Sequence, residues 1–365
     1  MTRMRLAFAI GAVNAANPAP RERIELAQAA ERCGYEAIWV PEIHVTDPFA
    51  ELGWIGSHTA SIGLGCAVAQ ITARSAVAMA AAAVTLDGLS RGRFSLGLGV
   101  SGPQVVEGWH GYSYQRPLSV MREYLAIVRM ALAGEPIRYT GQYIALPAPA
   151  GRHHVEPLAF PTPPNQLPVH LAGLGPKSVA LAGELADGWI AIHCPPEYMA
   201  LARSWLEEGA DRARRSLAAF STSVMVLCCV DDDEDLARDL VRPMLAVYLG
   251  GMGSRTANFY NRLAVRLGFG RAAAQVQDSY LAGDVGGAVA AVDDGLVDAM
   301  AACGPPARVR QRLSDYREAG VDTVIVGLAA PSHRAKIEQL ELISALADSP
   351  RAAPGDILPT REVIP

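Results

Sequence analysis

Apolar positions along the chain fall into two alternating patterns. Short runs that are continuous or alternate with period two are separated by stretches where apolar residues recur every three to four positions. The first pattern predicts strands at Arg5–Gly11, Ala37–Val40, Ile62–Ala69, Phe94–Leu98, Val169–Ala172, Gly188–Ile192, Ser223–Val230 and Thr323–Val326. The second predicts helices at Arg21–Cys33, Ser75–Leu89, Arg116–Leu132, Pro176–Leu185, Pro196–Leu217, Arg308–Glu318 and Ala335–Ala347, with another opening at the acidic run Asp231–Asp235. Eight strands, nearly all divided by helices, need parallel crossovers, and eight such units close a barrel. The expected architecture is α/β: a single (β/α)8 TIM barrel over residues 1–347, with insertions at about 137–168 and 238–297 and a C-terminal tail at 348–365. In the first insertion, Ile137–Leu146 reads as a hairpin turning at Thr140-Gly141, and Ala148–Pro168 as a Pro-rich excursion. The second is too long for a crossover and is expected to cover the barrel mouth.

Half of the 365 residues are hydrophobic and 19 % are charged, so the chain can bury a large core, and bulk disorder is excluded. A net charge of −5 argues against a general nucleic-acid binder. The longest apolar run, Ser75–Leu86, is Ala-dominated and far short of the ~20 residues of a membrane span. The N-terminal run lacks both the apolar core and the cleavage site of a secretory leader. The six cysteines show no CxxC spacing and read as buried reduced thiols. A cytoplasmic enzyme acting on a small molecule is the expectation.

Barrel active sites sit at the C-terminal ends of strands. That directs attention to Pro41–Asp47, Ala67–Arg74, Gly97–Gly111, Gly173–Ser178 and the segment after Cys229. Gly97-Leu98-Gly99-Val100-Ser101-Gly102 matches GxGxxG, but the acid at dinucleotide spacing, Glu123, falls inside a helix, so no NAD fold follows. These glycines serve either a tight turn or the close approach of a ligand. In Gly173-Leu174-Gly175-Pro176-Lys177-Ser178, a cap glycine and a first-position proline open a helix. Its unpaired N–H groups, with Lys177 and Ser178, suit a phosphate; an ordinary helix start is the alternative. Glu42 is placed at the mouth, unless it is a solvated loop carboxylate, and His44 lies two residues on. Asp47-Pro48 reads as a turn. Trp109 and His110 either flank a ring or simply pack. His153-His154 has no companion ligands, so no metal is expected, and no GxSxG elbow offers a hydrolase nucleophile.

Five stretches together, AIWVPEIHVTDP, IGLGCAVAQITAR, TLDGLSRGRFSLGLGVSGPQVVEGWHG, LAGLGPKSVALAGELADGWI and YLGGMGSRTANFYNRLAVRLGF, resemble the bacterial luciferase-like superfamily of flavin and deazaflavin enzymes. Within it they resemble the actinobacterial coenzyme F420-dependent oxidoreductases. The resemblance implies a barrel holding a three-ring cofactor at its mouth, backed by a non-prolyl cis peptide at Ala67-Val68. It implies that Gly97, Gly99, Val100, Ser101, Gly102, Val106 and Glu107 line the ring and side-chain end, and that Gly173, Gly175, Pro176, Lys177 and Ser178 hold the phosphate. One departure stands out. Sugar-phosphate dehydrogenases of the superfamily carry an Asp-His pair after the second strand, and here the aligned pair is Glu42-Ile43. With no basic cluster for a sugar phosphate, hydride transfer to or from an alkene, imine, ketone or alcohol fits better, Glu42 or His44 moving the proton. Gly250–Gly253 with Asn258 and Tyr260 resembles the family lid, and Tyr260 is a second proton-donor candidate. Two other functions share this barrel: an FMN-dependent two-component monooxygenase, and a flavin-binding barrel without turnover. The superfamily also implies a homodimer through helices beside the second and third strands, where the Ser75–Leu86 helix allows close packing.

Overall fold

A computed structural model describes residues 4–11, 19–43, 46–148, 156–163 and 165–348. His44, His153-His154 and the tail from 349 onward lie outside the described residues. The strands are β1 (Arg5–Ala9), β2 (Ala37–Val40), β3 (Gly63–Cys66), β4 (Ala69–Gln70), β5 (Phe94–Gly99), β6 (Tyr139–Thr140), β7 (Ala145–Leu146), β8 (Val169–Ala172), β9 (Gly188–Ile192), β10 (Ser221–Val230), β11 (Ala301–Gly304) and β12 (Thr323–Leu328). The helices are α1 (Pro20–Arg32), α2 (Pro48–Ser57), α3 (Ala76–Ser90), α4 (Pro103–Gly108), α5 (Pro117–Leu132), α6 (Pro176–Leu185), α7 (Met199–Ala213), α8 (Glu234–Ala246), α9 (Phe259–Arg266), α10 (Gly270–Leu281), α11 (Val285–Ala290), α12 (Asp294–Met300), α13 (Pro306–Glu318) and α14 (His333–Asp348).

Parallel pairing runs β1-β2-β3-β5-β8-β9-β10-β12 and returns to β1, closing the expected eight-stranded barrel. Outward side chains such as Leu6, Ile38, Leu64 and Leu96 are fully buried under the helices. Each such burial stabilises by about 1.5–3 kcal/mol. The α3 helix buries Met79, Ala80, Ala83 and Leu86, a three-to-four spacing that makes one stripe. Inside the barrel lies a separate cluster of Ala7, Trp39, Ala67, Ile190, Met225 and Ile325. Trp39 stands edge-on to His170 at 5.5 Å between ring centroids. Burial lowers the His170 pKa to about 4, so it is neutral at physiological pH. Toward the mouth the interior is lined by Ala9, Ala67 and Ala172, with Val68 and Ile192 beside them. All six cysteines are unpaired thiols, and five are buried.

Several expected elements differ. The strand expected at Ile62–Ala69 is two short strands, β3 and β4, separated by a cis Ala67-Val68 peptide. Asp47-Pro48 is a helix start: the Asp47 carboxylate caps α2 by accepting from Ala50 N at 2.9 Å, and Pro48 takes the first position. The hairpin turn is Gly141–Ile144, not Thr140-Gly141, because Glu123 on α5 accepts N–H bonds from Gln142, Tyr143 and Ile144 at 2.7–2.9 Å. The long helix expected at Pro196–Leu217 starts with a 3-10 turn, Pro196–Tyr198, and stops at Arg214 in the left-handed region. The second insertion starts inside α8, and Ala301–Gly304 beyond it is a strand, not part of a crossover. β11 pairs with the upper part of β10, on the edge that β9 leaves uncovered past Ile192. A short apolar run beside an Ala-rich helix has no period that marks it as strand.

Candidate active site

The C-terminal mouth is walled by the segments after β2, β4, β5, β8 and β9. Glu42 follows β2 and turns its carboxylate to the segment just past the cis step. One oxygen accepts from Gln70 N at 2.6 Å and the other from Arg74 Nη1 at 2.5 Å. Gln70 Nε2 donates in return to the Glu42 carbonyl at 2.9 Å. The Arg74 guanidinium also meets the Asp47 carboxylate and lies over the Phe49 ring at 4.9 Å. Tyr124 Oη donates to the Arg74 carbonyl at 3.0 Å. The Glu42 and Arg74 side chains keep only 9 % and 17 % of their surface in solvent. Burial opposes the arginine's charge, but the Glu42 and Asp47 carboxylates outweigh it and raise its pKa.

The first two glycines of the GxGxxG match, Gly97 and Gly99, lie in β5 and not in a turn. A Cβ on Gly97 would sit 2.1 Å from the Cys66 carbonyl oxygen, and one on Gly99 would sit 2.5 Å from Val68 Cγ2. Both glycines therefore let the irregular β3–β4 strand press against β5. Past them, Ser101 takes a left-handed backbone (φ 59°), and its carbonyl accepts from Tyr114 Oη at 3.0 Å. Gly102 caps α4, Val106 is buried, and exposed Glu107 accepts from Tyr114 N at 3.0 Å. Val100 is half-buried beside them. His110 Nδ1 bonds Thr72 Oγ1 at 2.7 Å, while Trp109 stays largely exposed.

The loop after β8 forms as expected. Gly175 is the cap of α6 and Pro176 its first residue. Ser178 Oγ accepts from Gly175 N at 3.2 Å. Trp189 Nε1 and Tyr198 Oη donate to the Gly173 and Leu174 carbonyls at 2.8 and 3.1 Å, which fixes the loop from behind. Lys177 is exposed beside it. The unpaired N–H groups and positive dipole end of α6 remain for an anion.

Above β9 and β10 the second insertion contributes an aromatic cluster. His193, directly after β9, takes a left-handed backbone and is fully buried. Its ring stands edge-on to Tyr248 at 4.5 Å and to Tyr260 at 6.4 Å, and the two tyrosines meet at 4.8 Å. Burial lowers the His193 pKa to about 3 and raises that of half-buried Tyr260 to about 12, so both stay neutral. Tyr248 belongs to a π-helical turn, Val247–Gly251, that continues α8. Asn258 binds that turn to α9: its Nδ2 donates to the Tyr248 and Leu249 carbonyls at 2.9 Å, and its Oδ1 caps α9 through Tyr260 N and Asn261 N. Thus Gly250 and Gly251 are helical residues, held against Tyr280.

Glu42, Ala67, Val68, the β5 segment and the Gly173–Ser178 loop therefore share one mouth, with Tyr260 on the insertion beside it. The sequence reading pointed to the Ala67–Arg74 segment without singling out Gln70 or Arg74, and it missed Tyr248 and His193. His193 carried a usable signal, since it follows a correctly bounded strand at its C-terminal end.

Eight parallel strands surrounded by helices define a (β/α)8 barrel. A sequence profile of the luciferase-like monooxygenase family matches residues 4–323, and the chain belongs to that family. A Mycobacterium tuberculosis protein, provisionally named a coenzyme F420-dependent oxidoreductase, is 37 % identical over 84 % of this chain and 90 % of its own. A 5,10-methylenetetrahydromethanopterin reductase of Archaeoglobus fulgidus is 27 % identical over 85 % and 90 %. Among solved structures, the coenzyme F420-dependent tetrahydromethanopterin reductase of Methanopyrus kandleri superposes with a TM-score of 0.78 at 23 % identity, covering 94 % of this chain and 98 % of that one. An F420-dependent secondary alcohol dehydrogenase gives 0.75 at 16 % identity, covering 95 % and 100 %. Among the described residues no helix is long and apolar enough to cross a membrane.

Proposed function

We propose that this chain is a coenzyme F420-dependent oxidoreductase that transfers a hydride to or from a small, weakly charged organic substrate: an alkene, imine, ketone or alcohol. The observation that carries the reading is the pairing, on one barrel mouth, of a small-residue floor with the Gly173–Ser178 anion loop on its rim. The floor of Ala9, Ala67 and Ala172 accepts a flat ring. The α6 start with Lys177 and Ser178 accepts the phosphate of that ring's side chain. Similarity to F420-dependent relatives supports the choice of ring. When bound, the deazaflavin supplies hydride exchange at its central carbon.

The protein's own residues divide the remaining work. Glu42 has one oxygen on Gln70 N and the other on Arg74, which suits it to holding the floor in register. Tyr260 keeps its proton across the working pH range and donates it to the substrate oxygen or nitrogen as the hydride arrives. His193 and Tyr248 pack the face of Tyr260 away from bulk water. Ser101, Val106 and Glu107 shape the wall beside the ring. Two copies of the chain pair through the α2–α3 side, where Trp54 and Leu89 are exposed.

The test is a calorimetric titration of cofactor-free protein with F420 and, separately, with FMN. Micromolar F420 affinity corresponds to about −8 kcal/mol and is easily measured. Tight F420 with weak FMN supports the reading. Tight FMN with weak F420 overturns it in favour of a two-component monooxygenase. Tight cofactor with no turnover across reducible and oxidisable substrates makes the chain a carrier and not an enzyme.

A further inference from the structure

The insertion helix α9 reaches from the second insertion to the anion loop. At its C-terminal end Arg266 Nη1 reaches the Leu174 carbonyl, in the anion loop, at 3.4 Å and Tyr198 Oη at 3.4 Å. One turn earlier, Arg262 donates to the Thr256 carbonyl at 3.0 Å and lies over the Phe259 ring at 5.6 Å. It is close enough to Tyr114, which bonds the Ser101 carbonyl, for its charge to act on that hydroxyl. Residues four apart share a helix face. The two guanidinium groups thus sit on one face of α9, with Arg266 at the phosphate loop that bears Lys177.

Their electrostatic setting differs from that of the paired arginines of this chain. Elsewhere in the same half, Arg238, Arg242, Arg308 and Arg312 are each tied to carboxylates. Arg262 and Arg266 are exposed and meet no carboxylate among the described residues, although the chain carries a net charge of −5. Cations left without counter-charge beside a phosphate loop attract an anion that reaches past that loop. A helix-stabilising role at the end of α9 accounts for Arg266 alone. It does not account for Arg262 in the middle of the helix.

We propose that Arg262 and Arg266 form a second anion site, which binds the part of the ligand that continues beyond its phosphate as a chain of carboxylates. This deepens the F420 reading and rests on it, since FMN ends at its phosphate while F420 continues into an acidic tail. The α9 helix is then a charged strap across the side chain of the cofactor, separate from the chemistry at Tyr260.

Calorimetry tests this with wild type, Arg262→Gln, Arg266→Gln, the double variant and Arg266→Lys. The ligands are F420, the tail-less deazaflavin that lacks phosphate and carboxylates, and inorganic tripolyphosphate. The expected result is F420 binding weakened about tenfold or more in the double variant. Partial recovery is expected in Arg266→Lys, with unchanged affinity for the tail-less ring. Raising salt weakens F420 binding to wild type more than to the double variant. Wild-type F420 affinity in the double variant overturns the proposal, as does an equal loss for the tail-less ring, which marks a collapsed mouth. If wild type prefers FMN, the F420 reading fails and tripolyphosphate alone decides. Binding that the double substitution removes upholds the arginine site, and absent or unaltered binding overturns it.

Discussion

Replacing Glu42 by glutamine separates two roles that a carboxylate at a barrel mouth can have. The amide keeps the shape and leaves an oxygen for Gln70 N, but it removes the charge that Arg74 faces. Breaking a buried ion pair by removing one partner costs about 3–5 kcal/mol, chiefly because the other charge is left uncompensated. Here Arg74 retains Asp47, but that carboxylate is 48 % exposed and offsets no more than about 1 kcal/mol. We therefore expect Glu42→Gln to destabilise by about 2–4 kcal/mol, and Glu42→Ala by more, since the Gln70 N–H then loses its acceptor as well. Arg74→Met is expected to cost a similar amount. The double variant is expected to lose less than the sum, by about 1–3 kcal/mol of coupling. Urea unfolding of wild type and the four variants gives these energies, and F420 titration at low urea reports whether the floor still accepts the ring. Additive single substitutions, or a loss below about 0.5 kcal/mol in Glu42→Gln, refute the clamp. So does a variant of wild-type stability and cofactor affinity whose turnover alone has collapsed, because that pattern belongs to a proton carrier.

Three further outcomes follow from other contacts. Gly97→Ala sets a Cβ against the Cys66 carbonyl and is expected to yield little folded protein, whereas Gly99→Ala meets only the tip of Val68 and is expected to be partly rescued by Val68→Ala; soluble yield and denaturant midpoint read both. Tyr260→Phe is expected to lower turnover about 10²–10⁴-fold with F420 affinity unchanged, and equal loss of both refutes its donor role. His170 has a folded pKa of about 4 against 6.5 for the free side chain. The unfolded chain therefore binds more protons between these values, and stability falls as pH drops from about 6.5 toward 4, by about 3 kcal/mol in all. His170→Asn is expected to flatten that part of the stability–pH curve, and an unchanged slope assigns the acid sensitivity elsewhere.

The fold was legible where periodicity and punctuation agreed. The bounds of β2, β8, β9 and α6 coincide with the apolar runs and their Gly or Pro flanks. Legibility ended where a residue serves a partner distant in the chain. Glu123 looked like a helix-surface acid and instead sets the turn of a hairpin that starts some fifteen residues later. Gly97 and Gly99 looked like a ligand loop because their neighbour β3–β4 leaves regular geometry in a way no local pattern encodes. The loop after β8 was legible as a capped helix start because Gly175 and Pro176 are consecutive; that it takes a phosphate is part of the proposal. Arg74, His193 and Arg266 act through tertiary contacts; Arg74 lay in a strand-end segment already marked, His193 at a strand end that was not, and Arg266 at neither.

The ninth strand, β11, changes what kind of object the insertion is. An excursion joined to a barrel only through loops swings as a whole. This one leaves β10 through α8 and returns to hydrogen-bond with the same β10, from Leu227 to Val230. Both ends are thus stitched to one stave of the barrel, and the Arg238–Asp298–Arg308 ion pairs rivet α8, α12 and the start of α13 together. A segment fixed at both ends can move only by bending between them. Between them lie the π-helical turn and α9, the stretch bearing Tyr248, Tyr260, Arg262 and Arg266.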